Sequence, residues 1–162
     1  MSEIEIRKYQ RNDAKGVKAL IDGVLANEFP REAEAFPTDD LDDIASSYGK
    51  VGEGFFVATR DGKILGTIAV KQEDARTAFL RRLYVDSASR GQRLGGRLVD
   101  RAIQFCREAG YHEVIIKTTS SMQNAVRLCE RKGFVHKARL TIGPIELLKL
   151  ALFLKPEVLN RN

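Results

Sequence analysis

The sequence predicts an α/β fold in which a central mixed sheet of about seven strands is flanked by about four helices. Segments with strand-like alternation are interspersed with segments of helical spacing. An Asp-Gly pair joins two of the strands as a hairpin, and a strand–helix–strand–helix order follows an antiparallel meander. A length of 162 residues fits one domain over residues 1–162.

Seven segments have the patterns of strands. Ile4–Tyr9 alternates apolar and polar residues, and Asp61-Gly62 is a preferred two-residue turn because both positions adopt positive φ. In chain order the predicted strands are Ile4–Tyr9, Phe55–Arg60, Lys63–Lys71, Thr77–Val85, Val114–Thr118, Phe134–Leu140 and Leu147–Leu154. The last strand either pairs with a partner chain at a sheet edge, as in a homodimer, or lies buried in its own domain.

Four segments have helical patterns. Asn12 or Asp13 is a suitable cap for the first, while Gly110 and Gly133 are typical stops for the two later ones. The predicted helices run from that cap to about Asn27, and over Asp39–Tyr48, Gln92–Ala109 and Met122–Lys132.

Composition excludes several classes of protein. Hydrophobic residues make up 43% of the chain, yet its longest apolar run, Leu147–Leu154, contains Lys149 and is far shorter than a membrane span of about 20 residues. The N-terminus has no signal-peptide pattern, so we expect a cytoplasmic protein without a membrane partner. Cys106 and Cys129 form no CxxC pair, and the two histidines have no ligand-like neighbours, so we expect free thiols and no metal site.

Positive charge is concentrated in the middle of the chain. The net charge is +5, and eight arginines lie between Arg76 and Arg107. Only Asp74, Asp86, Asp100 and Glu108 lie in or beside that stretch. Such a field suits an anionic ligand, and composition alone leaves both a nucleic acid and a phosphorylated cofactor open.

The segment Arg90–Arg97 combines glycine and arginine between a predicted strand and a predicted helix. The first N–H groups of a helix lack internal partners and bind anions, and glycine lets a phosphate approach the backbone closely. The spacing fits neither a Walker loop nor a dinucleotide GxGxxG motif.

Arg90-Gly91-Gln92-Arg93-Leu94-Gly95 resembles the cofactor signature Arg/Gln-x-x-Gly-x-Gly/Ala of the GNAT superfamily of N-acetyltransferases. Arg93 replaces the first glycine, which is tolerable if its φ stays negative. Ala125–Phe134 resembles a second family motif, Ala-Ile-x-Leu-Tyr-Glu-x-x-Gly-Phe. The resemblance implies acetyl-CoA as co-substrate, without a metal, held by Leu83, Tyr84, Val85, Arg90, Gly91, Gln92, Arg93, Leu94, Gly95, Gly96 and Arg97.

The resemblance also implies direct attack of an amine on the thioester. Cys129 stands where many relatives have the tyrosine that protonates the departing thiolate. With a reference pKa of about 8.5, its thiol could donate this proton, or Cys129 is a small core residue. Tyr84 and one of Ser120 or Ser121 are further candidates for the acid.

The general base is a second departure from the family. Many relatives use a glutamate on the fourth strand, but Thr77–Val85 contains no carboxylate, and Phe79 and Leu80 occupy the corresponding area. Proton acceptors near the sheet in sequence are Glu73, Asp74, His112 and Glu113. A chain of water molecules is an equal alternative.

Four aspartates lie within six residues at positions 38–43. In the family, the region around the first two helices lines the acceptor site, so an acidic rim there would attract a cationic amine. Alternatively, one aspartate caps a helix and the others favour its dipole. The predicted acceptor residues are Asp39, Asp40, Asp42 and Asp43.

Three functions remain in competition. The first is an N-acetyltransferase acting on a small-molecule or protein amine. The second is a non-catalytic acyl-CoA-binding module of the same fold, which the departures at Cys129 and Phe79 motivate. The third is a basic nucleic-acid-binding protein, but the sequence contains no recognised nucleic-acid motif, so we expect no nucleic-acid partner.

Overall fold

The computed structural model describes residues 3–35 and 37–154, within which seven strands form a single mixed sheet. The strands are β1 Glu5–Lys8, β2 Gly54–Arg60, β3 Lys63–Gln72, β4 Thr77–Val85, β5 Glu113–Thr119, β6 Val135–Ile142 and β7 Ile145–Phe153. The helices are α1 Ala14–Glu28, α2 Glu32–Ala35, α3 Ile44–Ser47, α4 Leu94–Glu108 and α5 Gln123–Arg131. The predicted fold class is confirmed, and the short helices α2 and α3 are one turn each.

The strand order is β1-β2-β3-β4-β5-β7-β6. Strands β1 to β4 form an antiparallel meander, β4 and β5 pair in parallel, and β7 lies between β5 and β6 with antiparallel pairing to both. The segment predicted as Leu147–Leu154 is therefore inside its own sheet. The exposed edge at this end is β6 instead, which is accessible to solvent along its whole length.

Helices cover the sheet on both faces. Helix α1 buries Val17 and Ile21 against one face together with Val57 of β2. Helix α4 buries Leu98 and Ala102 on the opposite face. Leu98 and Ala102 are four residues apart and therefore lie on one face of α4. Burial of this apolar face explains which side of the helix faces the sheet.

The ladder between β4 and β5 is short. It joins Thr77–Leu80 to Glu113–Ile116 and then ends, although both strands continue. At this point β4 contains a bulge, where Arg82 adopts a left-handed φ of 57°. The hydroxyl of Thr67 donates to the Arg82 carbonyl oxygen at 2.7 Å and so fixes the bulge. The end of β4 consequently presents backbone that β5 does not pair with.

The prediction of one continuous helix over Asp39–Tyr48 is wrong, because the structure has two short helical segments there. A 3-10 turn spans Asp39–Asp42, and α3 begins only at Ile44. Asp43 lies between them in a non-helical conformation and accepts a hydrogen bond from the Ser46 N–H at 3.1 Å. A side-chain cap requires non-helical backbone at the capping residue, which interrupts the helix there.

Candidate active site

A cavity of about 900 Å³ lies between the end of β4, the start of α4 and helix α5. We call it the loop cavity. Its lining is Val24, Glu28, Phe29, Leu83, Tyr84, Val85, Arg90, Gly91, Arg93, Leu94, Gly95, Gly96, Ser121, Met122, Gln123, Asn124, Ala125, Arg127, Leu128, Arg131 and Lys132. Its size lies within the range of cofactor sites.

The first turn of α4 forms one wall of the loop cavity. The helix begins at Leu94, and the first N–H with an intrahelical partner is that of Arg97, 3.1 Å from the Arg93 carbonyl oxygen. The N–H groups of the preceding residues are therefore available to an anion. A Cβ on Gly95 would lie 3.1 Å from a methyl group of Leu128. Glycine at this position thus lets α4 and α5 pack closely beside the N–H groups.

Arg93 adopts a left-handed φ of 58° at the N-cap of α4. A negative φ is expected for Arg93 from the sequence, and the structure does not have it. Arg93 lies at the turn from the loop into the helix, in the left-handed region that glycine adopts without strain. An arginine there is strained relative to the glycine of the family signature, by roughly 1–2 kcal/mol.

Nine of the eleven predicted cofactor residues line the loop cavity, and Gln92 and Arg97 do not. Gln92 is exposed, and Nη2 of Arg97 donates to the Ile4 carbonyl oxygen at 3.1 Å. Arg97 lies one turn into the helix, so its side chain points toward β1 rather than into the cavity.

Helix α5 supplies a second cationic wall that the sequence reading did not assign. Arg127, Arg131 and Lys132 all line the loop cavity. Gln123, Arg127 and Arg131 are four residues apart, so they share one helix face. This spacing is the signal that would have identified the wall. Lys132 is paired with Asp100 at 2.9 Å, which holds α5 against α4.

A second cavity, of about 680 Å³, lies across the face of β4, β5 and β7. We call it the sheet cavity. It is lined by Lys71, Gln72, Glu73, Phe79, Leu80, Arg81, Arg82, Leu83, Tyr84, Ile116, Lys117, Thr118, Met122, Ala125, Ala138, Arg139, Leu140, Leu147, Leu148 and Lys149. Four residues line both cavities: Leu83, Tyr84, Met122 and Ala125. The two cavities therefore meet where β4 and β5 separate.

Tyr84 is the one ionisable residue among the four that line both cavities. Burial raises the pKa of its phenol above the ordinary value of 10.0, and Arg82 opposes this shift only in part. The phenol is thus protonated at neutral pH and can serve as a proton donor.

Cys129 lines neither cavity. It is fully buried in the core between the sheet and helices α4 and α5. Burial raises the pKa of its thiol to about 12. Its placement agrees with the small core residue that the sequence left open, and it gives no support to a role as general acid. Cys106 is also a free thiol, and it is buried.

The candidate bases are dispersed. Glu73 lines the sheet cavity, whereas Asp74, His112 and Glu113 line neither cavity. The N–H of Glu73 bonds to the Thr77 carbonyl oxygen at the start of β4. Leu83 lies six residues beyond Thr77 along β4, which is up to roughly 20 Å at about 3.3 Å per residue. Glu73, the one carboxylate that lines the sheet cavity, is therefore distant from Leu83 and Tyr84.

The serines predicted as alternative acids differ in position. Ser121 lines the loop cavity, and its hydroxyl donates to the Glu32 carboxylate. Ser120 lines neither cavity, and its N–H bonds to the Glu146 carbonyl oxygen at 3.0 Å. Glu32 is buried in this cluster, and no local pattern marks it, because its partners Thr119 and Ser121 lie at and just beyond the end of β5.

The four predicted acceptor aspartates line neither cavity. Asp43 caps α3, and Asp42 pairs with Lys18 at 3.2 Å. Asp40 accepts hydrogen bonds from Arg82 and Tyr48, with the Arg82 Nε at 2.9 Å. Asp39 is exposed. The cap formed by Asp43 fits the alternative in which one aspartate caps a helix, whereas the contact of Asp40 with Arg82 in the β4 bulge was not expected from the sequence.

The family model of the acetyltransferase (GNAT) family matches residues 21–134. The human protein N-acetyltransferase 8B is 35% identical over 101 residues, which are 59% of this chain and 44% of that protein. The chain spans about half the length of the curated relatives it matches first.

Solved structures share the fold. A GNAT acetyltransferase from Staphylococcus aureus Mu50 superposes with a TM-score of 0.83 at 23% identity, covering 94% of this chain and all of that chain. A Salmonella typhimurium protein, solved with its cofactor acetyl-CoA, superposes with a TM-score of 0.79 at 20% identity and covers 96% of each chain. Within residues 3–35 and 37–154, no helix is both long and apolar enough to cross a membrane.

Proposed function

Because this chain belongs to the acetyltransferase (GNAT) family, we propose that it transfers the acetyl group of acetyl-CoA directly to an amine. The observation that carries the proposal is the meeting of two cavities at the point where β4 and β5 separate. The loop cavity has the N–H groups and cations that phosphates need, and the sheet cavity adjoins it at the four residues that line both. A donor and an acceptor would thus meet at one place.

Acetyl-CoA would occupy the loop cavity. The pyrophosphate would lie at the first turn of α4, where free N–H groups and Gly95 permit close approach. Arg127 and Arg131 of α5 would bind further phosphate oxygens, and Arg90 is a third candidate. The pantetheine arm would run beside Leu83–Val85, whose backbone lies beyond the ladder with β5.

In the proposed reaction, the neutral amine attacks the thioester carbonyl carbon and forms the C–N bond. The tetrahedral intermediate then collapses as the C–S bond breaks, and the electron pair leaves on sulfur. Tyr84 is placed to protonate this thiolate, because it alone among the residues common to both cavities carries an ionisable proton. This assignment replaces Cys129 with one of the alternatives considered from the sequence.

The amine must lose one proton before or during attack. An aliphatic amine with a pKa near 10.4 is mostly protonated at neutral pH, so its neutral form costs roughly 4–5 kcal/mol. Glu73 is too far along the sheet to accept the proton directly, by the strand spacing given above. We therefore propose that water in the sheet cavity carries this proton, one of the alternatives left open by the sequence.

The test is release of free CoA from acetyl-CoA with a broad panel of amines, together with calorimetric binding of CoA. The expected result is CoA binding and turnover of at least one amine. An Arg131→Gln variant should weaken CoA binding, whereas Arg107→Gln, which removes the same charge outside both cavities, should not. Binding without turnover of any amine would indicate the non-catalytic module, and absence of CoA binding would overturn both.

The exposed edge strand β6 supports the predicted homodimer. Leu140 and Ile142 on this strand are 59% and 55% exposed, and edge strands readily pair with a second copy. Light scattering after size exclusion tests this assembly. A monomer at all concentrations would contradict it. A cytoplasmic location stays a prediction, supported by the two free thiols.

A further inference from the structure

We propose that the sheet cavity selects amines that carry a carboxylate, and that Arg81, Lys117 and Lys149 bind that carboxylate. This inference rests on the proposed function and names the substrate class of the same site. It reverses the charge expected of the acceptor from the aspartates at positions 39–43. The three cations are called the cation row below.

The charges lining the sheet cavity are strongly unbalanced. Six basic side chains line it against a single acidic one, Glu73. Three of the six are neutralised by pairs: Lys71 with Glu53, Arg82 with Asp40, and Arg139 with Glu146. Within the part of the chain that the structure describes, the side chains of the cation row have no ion pair. The uncompensated charge of this cavity is therefore positive.

The cation row shares one face of the sheet. Lys117 of β5 and Lys149 of β7 are direct cross-strand partners. Phe79 is opposite Ile115, and the side chains two residues further on, Arg81 and Lys117, point to the same face. The three side chains therefore belong to three neighbouring strands at one level of the sheet.

This arrangement is unfavourable without an anion. Like charges directly opposite on neighbouring strands are destabilising, and Lys117 and Lys149 form such a pair. Lys117 is held in place by the ring of Phe79, with its Nζ 4.8 Å from the ring centroid. Two lysines and an arginine that converge on a cavity can bind a carboxylate by charge-assisted hydrogen bonds.

The row also lies at the right distance from the proposed reaction. The β4–β5 ladder ends at Leu80 and Ile116, so Arg81 and Lys117 are the first residues beyond it. Arg81 precedes Leu83, which lines both cavities, by two residues, and the bulge at Arg82 keeps this separation at or below roughly 7 Å along the strand. A carboxylate held by the row would leave an amine a few bonds away near that junction. An α- or β-amino acid has this spacing.

Three matched amines test the proposal: L-phenylalanine, its amide and 2-phenylethylamine. We expect kcat/KM to be at least about tenfold higher for the amino acid than for the other two. The amide has the less basic amine and more of its reactive neutral form, so this preference would oppose intrinsic reactivity. Equal or better turnover of the amide or of 2-phenylethylamine would overturn the proposal.

Substitutions of single lysines distinguish a specific role of the cation row from a general effect of losing positive charge. Lys117→Gln should raise the KM for L-phenylalanine about tenfold and leave that for 2-phenylethylamine within about twofold, while Lys117→Arg should restore most of the loss. Lys137→Gln is the matched control, because Lys137 also lies 4.8 Å from a ring, that of Phe153, but lines neither cavity. An equal effect of both Gln variants would overturn the assignment.

A binding measurement distinguishes failure of this proposal from failure of acetyl transfer. N-acetyl-L-phenylalanine and its amide are titrated into the full chain in the presence of CoA. Carboxylate-dependent binding that Lys117→Gln abolishes would support the row even if no amine is turned over. Equal binding of both compounds, or binding of RNA that the acid fails to displace, would overturn it.

Discussion

Arg90 and Glu28 form a two-pronged ion pair in the wall of the loop cavity. Nη2 of Arg90 lies 2.7 Å from Oε2 of Glu28, and its Nη1 contacts the other carboxylate oxygen. The same Nη2 lies 3.1 Å from the Val85 carbonyl oxygen. A carboxylate on α1 thus occupies the fork of donors that a phosphate of acetyl-CoA would use.

Replacing Glu28 by Gln is expected to tighten binding of CoA. The pair is partly exposed, and such pairs contribute about 0.2–1 kcal/mol, so freeing Arg90 should lower the Kd by up to about fivefold. Calorimetry with CoA measures this. Asp22→Asn removes the same charge from the exposed face of α1 outside both cavities and is the control. Unchanged or weaker binding in Glu28→Gln would contradict competition for Arg90.

Replacing Arg93 by Gly is expected to stabilise the fold. Relief of the left-handed strain outweighs the entropy cost of glycine, so we expect a gain of about 0.5–1 kcal/mol in the free energy of unfolding. Urea denaturation measures it. Arg97→Gly, inside the same helix, should instead lose about 1 kcal/mol. Destabilisation by both variants would show that Arg93 is not strained.

Tyr84→Phe tests the proposed acid. A general acid contributes about 10²–10⁴ in rate, so kcat should fall about hundredfold while the KM for acetyl-CoA changes little. Because the raised pKa keeps the phenol protonated, activity of the wild type should decline only above pH 10, and the variant should lose this decline. Tyr111→Phe removes a hydroxyl bonded to the Gly52 carbonyl oxygen outside both cavities and should retain kcat. A full kcat in Tyr84→Phe would exclude the phenol as acid.

The Asp40–Arg82 pair is expected to make stability depend on acid pH. Burial raises the pKa of Asp40, but hydrogen bonds from Arg82 and Tyr48 outweigh it and leave the pKa below 3.8. A depressed pKa in the folded state means stability that is present above pH 3.8 and is lost as the pH falls through the lower value. Denaturation midpoints between pH 2 and 7 measure this loss.

Breaking the same pair should be costly at neutral pH. Asp40→Asn leaves the buried guanidinium of Arg82 without its counter-charge, which costs about 3–5 kcal/mol for a buried pair. The variant should also lose the acid-pH dependence described above. Asp39→Asn, an exposed neighbour, is the control. Parallel pH profiles for wild type and Asp40→Asn would exclude Asp40 as their source.

Local patterns were sufficient to predict the strands, the hairpin and the position of the glycine- and arginine-rich loop between β4 and α4. The hairpin depends on Asp61-Gly62, and both residues have positive φ in the structure. The loop depends on glycine spacing within eight residues. These features are encoded by neighbours along the chain, so periodicity and turn chemistry reveal them.

Features made by distant residues were not predictable in this way. Arg82 and Asp40 are separated by 42 positions, and nothing in either segment indicates their pairing. The bulge at Arg82 contains no glycine to mark its positive φ. The role of Cys129, as an acid or as a core residue, was ambiguous from the sequence. Successive side chains on a helix are offset by about 100°, so neighbouring positions can face a cavity or the core.

The four-pair ladder between β4 and β5 has a consequence for how acceptor preference can diverge. The residues proposed to bind acetyl-CoA lie on β4, α4 and α5, whereas two members of the cation row, Lys117 and Lys149, lie on β5 and β7. Substitutions on β5 and β7 would change the lining of the sheet cavity and leave the segment Arg90–Arg97 unchanged. Under the proposed function, related proteins could therefore acquire a different amine specificity through a few substitutions in the sheet cavity and still use acetyl-CoA as the acyl donor.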